Sequence, residues 1–506
     1  MKPSRSLPIT LTLPNWFPLS LPSIFVAKEL RAVLPAAFFG VVLATLACIA
    51  DRRLGLLVEF AYGISCAAIG SIAAGHDFIH RTLGTTLALP ISREKIWRTR
   101  LFISFLAMLP LAILTGTRLF LAFDRLPSSS ILSILVLQLC VPILSGLFVA
   151  PWLTLISRSA LFGTVLTLCI PFLFATGINL MIFAFRIDHR EGFQTVRFQT
   201  AMMAFLHLSY WLAGGILGWH KFMHLEAVEN QTAISLRPSH SKRKAATLRL
   251  GTRRNPVRQL VKKELMLQRI PFAMVGCFIV VELCLLETQH LRPELGSDFP
   301  VLWTALCAPL LSILIGAVSS AEERQLGIAE WQILLPISSS KQWMVKVSVV
   351  LVMAALFGGL LPAWILSWVG KKGDLGMGGW SPFVVFAAIA IIFASVSLYI
   401  STLCNNAVKA MLVSLPVSLG VIVFLLYPAM SVLKQHPDAQ ISMGSWWANF
   451  LPLYFFLGGL IFALRMGMIN HRSSDRGAGR ILLQVGCLLA YMVMVSVVFF
   501  HLSGSP

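Results

Sequence analysis

Apolar runs long enough to cross a lipid bilayer fill most of this 506-residue chain, and nothing else constrains its fold as strongly. A spanning helix needs about 20 predominantly apolar residues. On that scale about thirteen candidates appear. They lie at roughly 33–50, 56–75, 101–123, 131–156, 159–185, 200–220, 271–287, 299–320, 345–369, 381–403, 408–433, 448–468 and 481–502. Inside hydrocarbon each backbone N–H and C=O must be satisfied within its own segment, so such runs are read as helices. Charged residues make up 12% of the chain, against about 25% in soluble domains. The expectation is an all-α polytopic membrane protein. The nine cysteines lie in or beside apolar runs and read as buried apolar side chains, not as a disulfide framework. The first 23 residues lack the basic, apolar, small-residue order of a cleavable signal.

Orientation follows from the basic residues. With the N-terminus in the cytoplasm, cytoplasmic segments hold about 30 of the 41 Lys and Arg, which is the arrangement the positive-inside rule prefers. The chain is therefore expected in the inner (cytoplasmic) membrane, with residues 221–263 as a basic cytoplasmic connector. That connector, with Lys242, Arg243 and Lys244 at its middle, is read as a solvated linker that can meet anionic membrane lipids. It has no interleaved aromatics and no nucleic-acid fold, so nucleic acid is not an expected partner.

A short string repeats at long range. Leu89-Pro90-Ile91-Ser92 recurs as Leu335-Pro336-Ile337-Ser338, 246 residues later, and each copy is followed at the same spacing by Lys and Trp. These are Lys95 and Trp97, then Lys341 and Trp343. A second marker, Lys28-Glu29-Leu30, returns as Lys263-Glu264-Leu265 and precedes the next set of spans. Together they predict two parallel-related six-helix repeats plus one extra C-terminal span. The expected organisation is 1–32 as a cytoplasmic N-terminus with an interfacial helix and 33–220 as the first half. After the connector comes 264–468 as the second half, then 469–506 as the extra span. The second half is longer between its markers, and the outer loop Glu287–Asp298 is the expected place of the added residues.

The repeated stretches have a readable design. Polar residues leave the membrane, a short helical run follows, and Pro90 or Pro336 interrupts it because proline lacks an N–H and clashes with a continuing helix. Ser92 or Ser338 is then placed to cap the next helix. Trp97 and Trp343 sit where that helix re-enters the bilayer, a usual level for Trp.

Here the chain resembles a family, the permease subunits of ABC-2 type ATP-binding-cassette exporters. The carriers are HDFIHRTLGTTLALPISREKIW in the first half and EERQLGIAEWQILLPISSSKQW in the second, each between spans two and three of a six-span layout opened by Lys-Glu. The family pattern reads approximately as acids, Arg-x-x-Gly-Thr, Leu-Leu, Leu-Pro-x-Ser-Arg and a downstream Lys. The resemblance implies that each loop is a coupling helix docked on an ATPase subunit. It assigns that role to Arg81, Gly84, Pro90, Ser92, Arg93 and Lys95, and to Glu322, Glu323, Gly327, Pro336, Ser338 and Lys341. The halves depart from it differently. His76 and Asp77, or Ile79 and His80, stand where the first loop should have acids, and Ser339 takes the Arg position in the second. Two registers of the first loop are open: a gapless one placing Arg81 opposite Gly327, and one with a three-residue deletion matching Arg81–Gly84 to Arg324–Gly327.

No Gly-x-x-x-x-Gly-Lys-Ser/Thr phosphate loop occurs, so ATP and Mg are expected on a separate chain, present in two copies. No cofactor, metal or catalytic residue is expected in this one. The pairs His76/His80 and His220/His224 have helical i, i+4 spacing but lack a supporting third ligand. Glu59 and Glu282 lie within or near spans, where an ionisable residue is a functional suspect, with pairing or snorkelling the plainer reading. The loops holding Arg186–Arg197 and Lys434–Trp447 are candidates for an outer gate. The functional expectation is the membrane subunit of an ABC exporter of unread substrate. The alternative is an ion-coupled secondary transporter of two six-span halves. That class would show Gly-x-x-x-Asp-Arg-x-Gly-Arg-Arg between spans two and three, which is absent.

Overall fold

A computed structural model of the chain describes residues 23–50, 56–79, 82–122, 138–184, 192–225, 256–291, 298–328, 337–369, 381–435 and 446–472, with scattered positions between 479 and 494. Among these residues every regular element is helical. The helices are α1 (Ser23–Ala50), α2 (Leu56–Ile79), α3 (Leu83–Leu87), α4 (Arg93–Ala122), α5 (Gln138–Ser157), α6 (Ala160–Ala184) and α7 (Gly192–Met223). After the connector come α8 (Pro256–Leu267), α9 (Arg269–Leu291), α10 (Asp298–Gln325), α11 (339–369), α12 (Ser381–Leu403), α13 (Ala407–Gln435) and α14 (Trp446–Arg472). Each of the first twelve expected spans coincides with one of these. Nine of the described helices are long and apolar enough to cross a membrane. All nine cysteines are free.

Two expectations about boundaries change. Lys28 and Glu29 were expected on an interfacial helix separate from the first span. They lie instead in the first turns of α1, which continues through Pro35 into the apolar run. Ala27 to Ala32 is a run of good helix formers with no Gly or cap to interrupt it, so the helix has no reason to stop. Lys263 and Glu264 do occupy a separate amphipathic helix, α8. It ends at Gln268, whose side chain turns inward to donate from Nε2 to the Ile315 carbonyl at 3.1 Å. The second change concerns the added residues of the second half. They were expected in the loop Glu287–Asp298, but α9 runs on to Leu291 and α10 begins at Asp298, so much of the length is helix.

The chain divides into two compact units, residues 1–168 with 204–229 and residues 169–203 with 230–506. In each, the span before the Leu-Pro-Ile-Ser loop is the central helix. Of the apolar windows of α2 and α10, 83% is buried in both cases, against 39–50% for α1, α4, α5, α9, α11 and α12. Glycine permits close approach to a neighbouring backbone in each unit. A Cβ added to Gly70 would meet the Gly146 carbonyl oxygen of α5 at 1.7 Å, and one on Gly316 would meet the Ala394 oxygen of α12 at 2.4 Å. Gly70 and Gly316 are 246 residues apart, the same offset as the repeated loops. α5 and α11 each contain a π-helical segment, Ser145–Val149 and Ala354–Leu360. Such bulges bend a helix locally. They fall on different spans, so the two units are not copies in detail.

Candidate functional site

At the loop end of each unit, charged side chains are buried together. In the first, the Glu29 Oε1 of α1 accepts from Arg100 Nε at 3.2 Å and Nη2 at 3.0 Å. Arg100 Nη2 also bonds Asp77 Oδ2 at the end of α2. Lys28 closes the set, 3.0 Å from Asp77 Oδ1. In the second, Lys263 pairs with Glu323 and lies 3.2 Å from Glu264 Oε1. Lys346 stands 2.5 Å from Glu323 and 3.4 Å from Glu264. Glu29, Asp77 and Arg100 are buried, and so are Glu264, Glu323 and Lys346. Each cluster balances two carboxylates with two cations, which is the condition under which charges tolerate burial.

The positions correspond. Asp77 and Glu323 are 246 residues apart, as are Arg100 and Lys346. The gapless register of the two loops is therefore the one in which chemically equivalent residues meet. The deletion register fails on backbone grounds as well. Gly327 ends α10 in the left-handed region, at φ 70°, as a helix C-terminal glycine does. Gly84 instead lies inside α3.

The loops are held to these clusters. Asp77 accepts from the hydroxyls of Thr82 at 2.8 Å and Thr86 at 3.1 Å, and Lys28 donates to Thr86 Oγ1 at 3.0 Å. Leu83, Leu87 and Ile91 pack beneath, against a core formed by Ile96, Trp97 and Phe222. Trp97 and Trp343, expected as interface anchors, are both buried against the last helix of their own unit. Trp97 stacks on Phe222 with ring centroids 5.1 Å apart, beside Gly218. Trp343 lies 5.6 Å from the His471 ring, beside Gly467. A one-sided apolar helix face reads alike whether lipid or protein covers it, which is why the sequence left this open.

The remaining predicted residues separate into exposed and engaged groups. Pro90, Ser92 and Lys95 are exposed, as are Ser338 and Lys341. Ser92 caps α4, its Oγ accepting from Lys95 N at 3.4 Å. Ser338 occupies the same place before α11 without a side-chain bond to the helix end. Arg93 donates to the Met223 carbonyl at the end of α7, and Arg324 to the Thr402 carbonyl at the end of α12. Both cations thus complete helix C-termini. Glu322, adjacent to the second cluster, faces Arg269 at 3.9 Å. Arg81 and Pro336 lie outside the described residues, as do the N-terminal 22 residues, the connector 226–255, residues 186–191 of one outer-gate loop and 436–445 of the other.

Metal was not expected in this chain. Glu29, His76 and Asp77 do bring ligand atoms within 4.8 Å of one another. Arg100 and Lys28 already balance the two carboxylates, and a divalent ion would leave the cluster with excess positive charge. His220 and His224 stack at 4.2 Å; no third ligand joins them among the described residues. Glu59 accepts from the Gln138 amide at 2.7 Å, as a paired intramembrane acid should. Glu282 does not snorkel; it is 0% exposed.

Sequence reasoning found Lys28, Glu29, Lys263 and Glu264 as markers and Glu322 and Glu323 as motif residues. It missed the part played by Asp77, Arg100 and Lys346. Their signal was present in the shared 246-residue offset, since an acid and a cation recur at fixed distances on either side of Leu-Pro-Ile-Ser.

Burial pushes the Glu264 carboxyl above its ordinary value, against the pull of Lys346. Of the two acids in that cluster it has the longer contacts, so it is the one that keeps a proton most readily.

No curated protein and no solved structure matches the chain. A family profile described as ABC-2 family transporter protein does match, over residues 300–503. That span takes in α10, the second loop and everything through the thirteenth apolar run, including Glu323, Lys341 and Lys346. Over that stretch the chain is similar to ABC-2 family transporter proteins, and its apolar helices make it a multi-pass membrane protein.

Proposed function

We propose that the chain is the membrane subunit of an ATP-driven exporter in which two six-span permease halves are fused, N-terminus in the cytoplasm of the inner membrane. Two copies of a separate ATPase, each holding ATP and Mg, dock beneath the two Leu-Pro-Ile-Ser loops. The observation carrying this reading is the recurrence of one buried four-charge cluster at the root of both loops. Each cluster ties together three elements: the Lys-Glu helix, the end of the central span and the start of the next one. A push on the exposed face at Pro90–Lys95, or at Ser338–Lys341, therefore moves three helices as one body. Buried, hydrogen-bonded ion pairs resist independent sliding because separating them strands a charge in a low-dielectric interior. Movement of each half as a body would then give alternating access.

The test uses Lys95→Cys and Lys341→Cys, each in the full chain in native membranes, with a short bismaleimide linker. The expected product at both positions is an adduct with a soluble chain that carries a phosphate loop. Absence of such an adduct at both positions overturns the docking. The purified chain alone is expected to hydrolyse no ATP. Transport that continues after ATP depletion and stops with loss of the proton gradient would replace this reading with ion-coupled transport.

A further inference from the structure

The thirteenth apolar run belongs to the second unit, and at the 246-residue offset its place in the first is taken by the basic connector. It is helical over 483–488. Gln484 is buried, whereas Leu483 and Val485 on either side of it are exposed. Its carboxamide forms a reciprocal pair with that of Asn470 on α14. Asn470 Nδ2 donates to Gln484 Oε1 and Gln484 Nε2 donates to Asn470 Oδ1, both at 2.9 Å. The Tyr399 hydroxyl of α12 donates to the same Oε1 at 3.2 Å, and Asn470 Nδ2 also donates to Thr402 Oγ1 at 3.3 Å. Leu488 and Tyr491 continue this face at helical spacing. Leu488 packs on Tyr399, Ile400 and Ala463. Tyr491 lies over Gly458 and Gly459, where an added Cβ would meet its hydroxyl oxygen at 2.6 Å and its ring at 3.0 Å, and it stacks on Phe462.

This seat adjoins the anchors of the second loop. Arg324, at the end of α10, donates to the Thr402 carbonyl, and His471, the residue after Asn470, carries the Trp343 ring of α11. The residues that hold Gln484 are thus the same as, or next to, those that hold the loop. The first unit has no such seat. At the same offset Thr402, Gly458, Phe462 and Asn470 correspond to Ile156, Leu212, Ile216 and His224, all exposed. A buried amide pair is stable only while both members are present, because losing one strands the donors and acceptor of the other. We propose that the thirteenth apolar run is a strut for the second loop, with Gln484 as the positioning residue that ties α12 and α14 together where Arg324 and Trp343 are seated. The role requires no ATPase, so it stands or falls separately from the docking reading.

The test is hydrogen exchange of the full chain purified in detergent, read at 337–347 in the second loop and 83–92 in the first. Gln484→Leu is expected to speed exchange in the second about tenfold and to leave the first unchanged. No change in the second loop, or equal acceleration in both, overturns the strut; equal acceleration would mean that the variant merely loosens the whole chain. Thr402→Val retains the amide pair and removes only its hydroxyl link to α12, so it tests the same path should Gln484→Leu fold poorly. About threefold faster exchange in the second loop alone is expected from it. An unmoved second loop in that variant shows that the pair seats the run without reaching the loop, and overturns the proposal.

Discussion

The two buried clusters share a charge balance and a set of positions, but they are fastened to different neighbours. In the first, the planar guanidinium of Arg100 serves two carboxylates at once, and Lys28 reaches on to Thr86 in the loop helix. In the second, the Lys346 ammonium is a point charge that also donates to the Ser319 carbonyl at 2.8 Å, and Glu322 adds a contact to Arg269 where α9 begins. The first cluster therefore braces its loop, and the second braces the junction between α8 and α9. A guanidinium fixes the plane of its partners, whereas an ammonium leaves them freer. The two clusters thus differ in how rigidly they fix their partners while each holds two acids and two cations.

The comparison is broken most severely by removing one cation. Arg100→Met and Lys346→Met each leave two buried acids facing one Lys, and each is expected to cost about 3–5 kcal/mol, read as a lowered unfolding temperature of the detergent-purified chain. A neutral outcome in either would show that the pair is solvated, and that the clusters are not alike. Arg100→Lys retains the charge and loses the fork; a smaller loss of about 1.5–3 kcal/mol is expected from its charged hydrogen bonds.

Next in size are the two glycine crossings. Gly70→Ala and Gly316→Ala place a Cβ at 1.7 and 2.4 Å from carbonyl oxygens, so backbone must move. Each should lower stability by about 1–3 kcal/mol, with Gly70 the more sensitive. Equal effects would show that the π segment at Gly146 absorbs the shift.

Thr86→Val separates the two loops. It removes a hydroxyl bonded to both Lys28 and Asp77. The expected loss is about 1 kcal/mol, with faster hydrogen exchange at Leu83–Leu87 and none gained at 337–343. Faster exchange in both loops would contradict separate bracing.

The smallest effect is in pH. The folded second unit holds a proton at Glu264 more tightly than the unfolded chain does, because burial raises that carboxyl from its model-compound 4.5. Its contribution to stability is full below that value and is lost as pH rises through the raised one. Unfolding temperature followed across that window should therefore decline, and Glu264→Gln should flatten the decline. A slope of the opposite sign would assign the ionised form to the folded state.

Much of this architecture is legible in the sequence, and the reasons are specific. Span positions follow from run length, because hydrocarbon leaves a backbone no option but helix. The Lys-Glu and Leu-Pro-Ile-Ser markers were visible because identical strings at fixed offsets do not depend on their surroundings. Asp77 and Arg100 were not legible as partners. They lie 23 residues apart on two helices that diverge through a loop, and only packing brings Arg100 between Asp77 and Glu29. The inward facing of Trp97 and Trp343 was hidden for a related reason, since an apolar face beside a basic one fits lipid and protein equally. Glu282 was singled out by its place in a span, yet its full burial is a property of the neighbouring helices.

The sequence alone determined that this chain is helical, spans a membrane many times and carries a repeated loop motif, because each follows from local composition and spacing. The tertiary structure alone decided which charges share a buried site and which face of each loop remains exposed. Those depend on which helices meet at the end of α2 and α10, and electrostatic balance in a low-dielectric interior is settled by neighbours in space rather than in the chain.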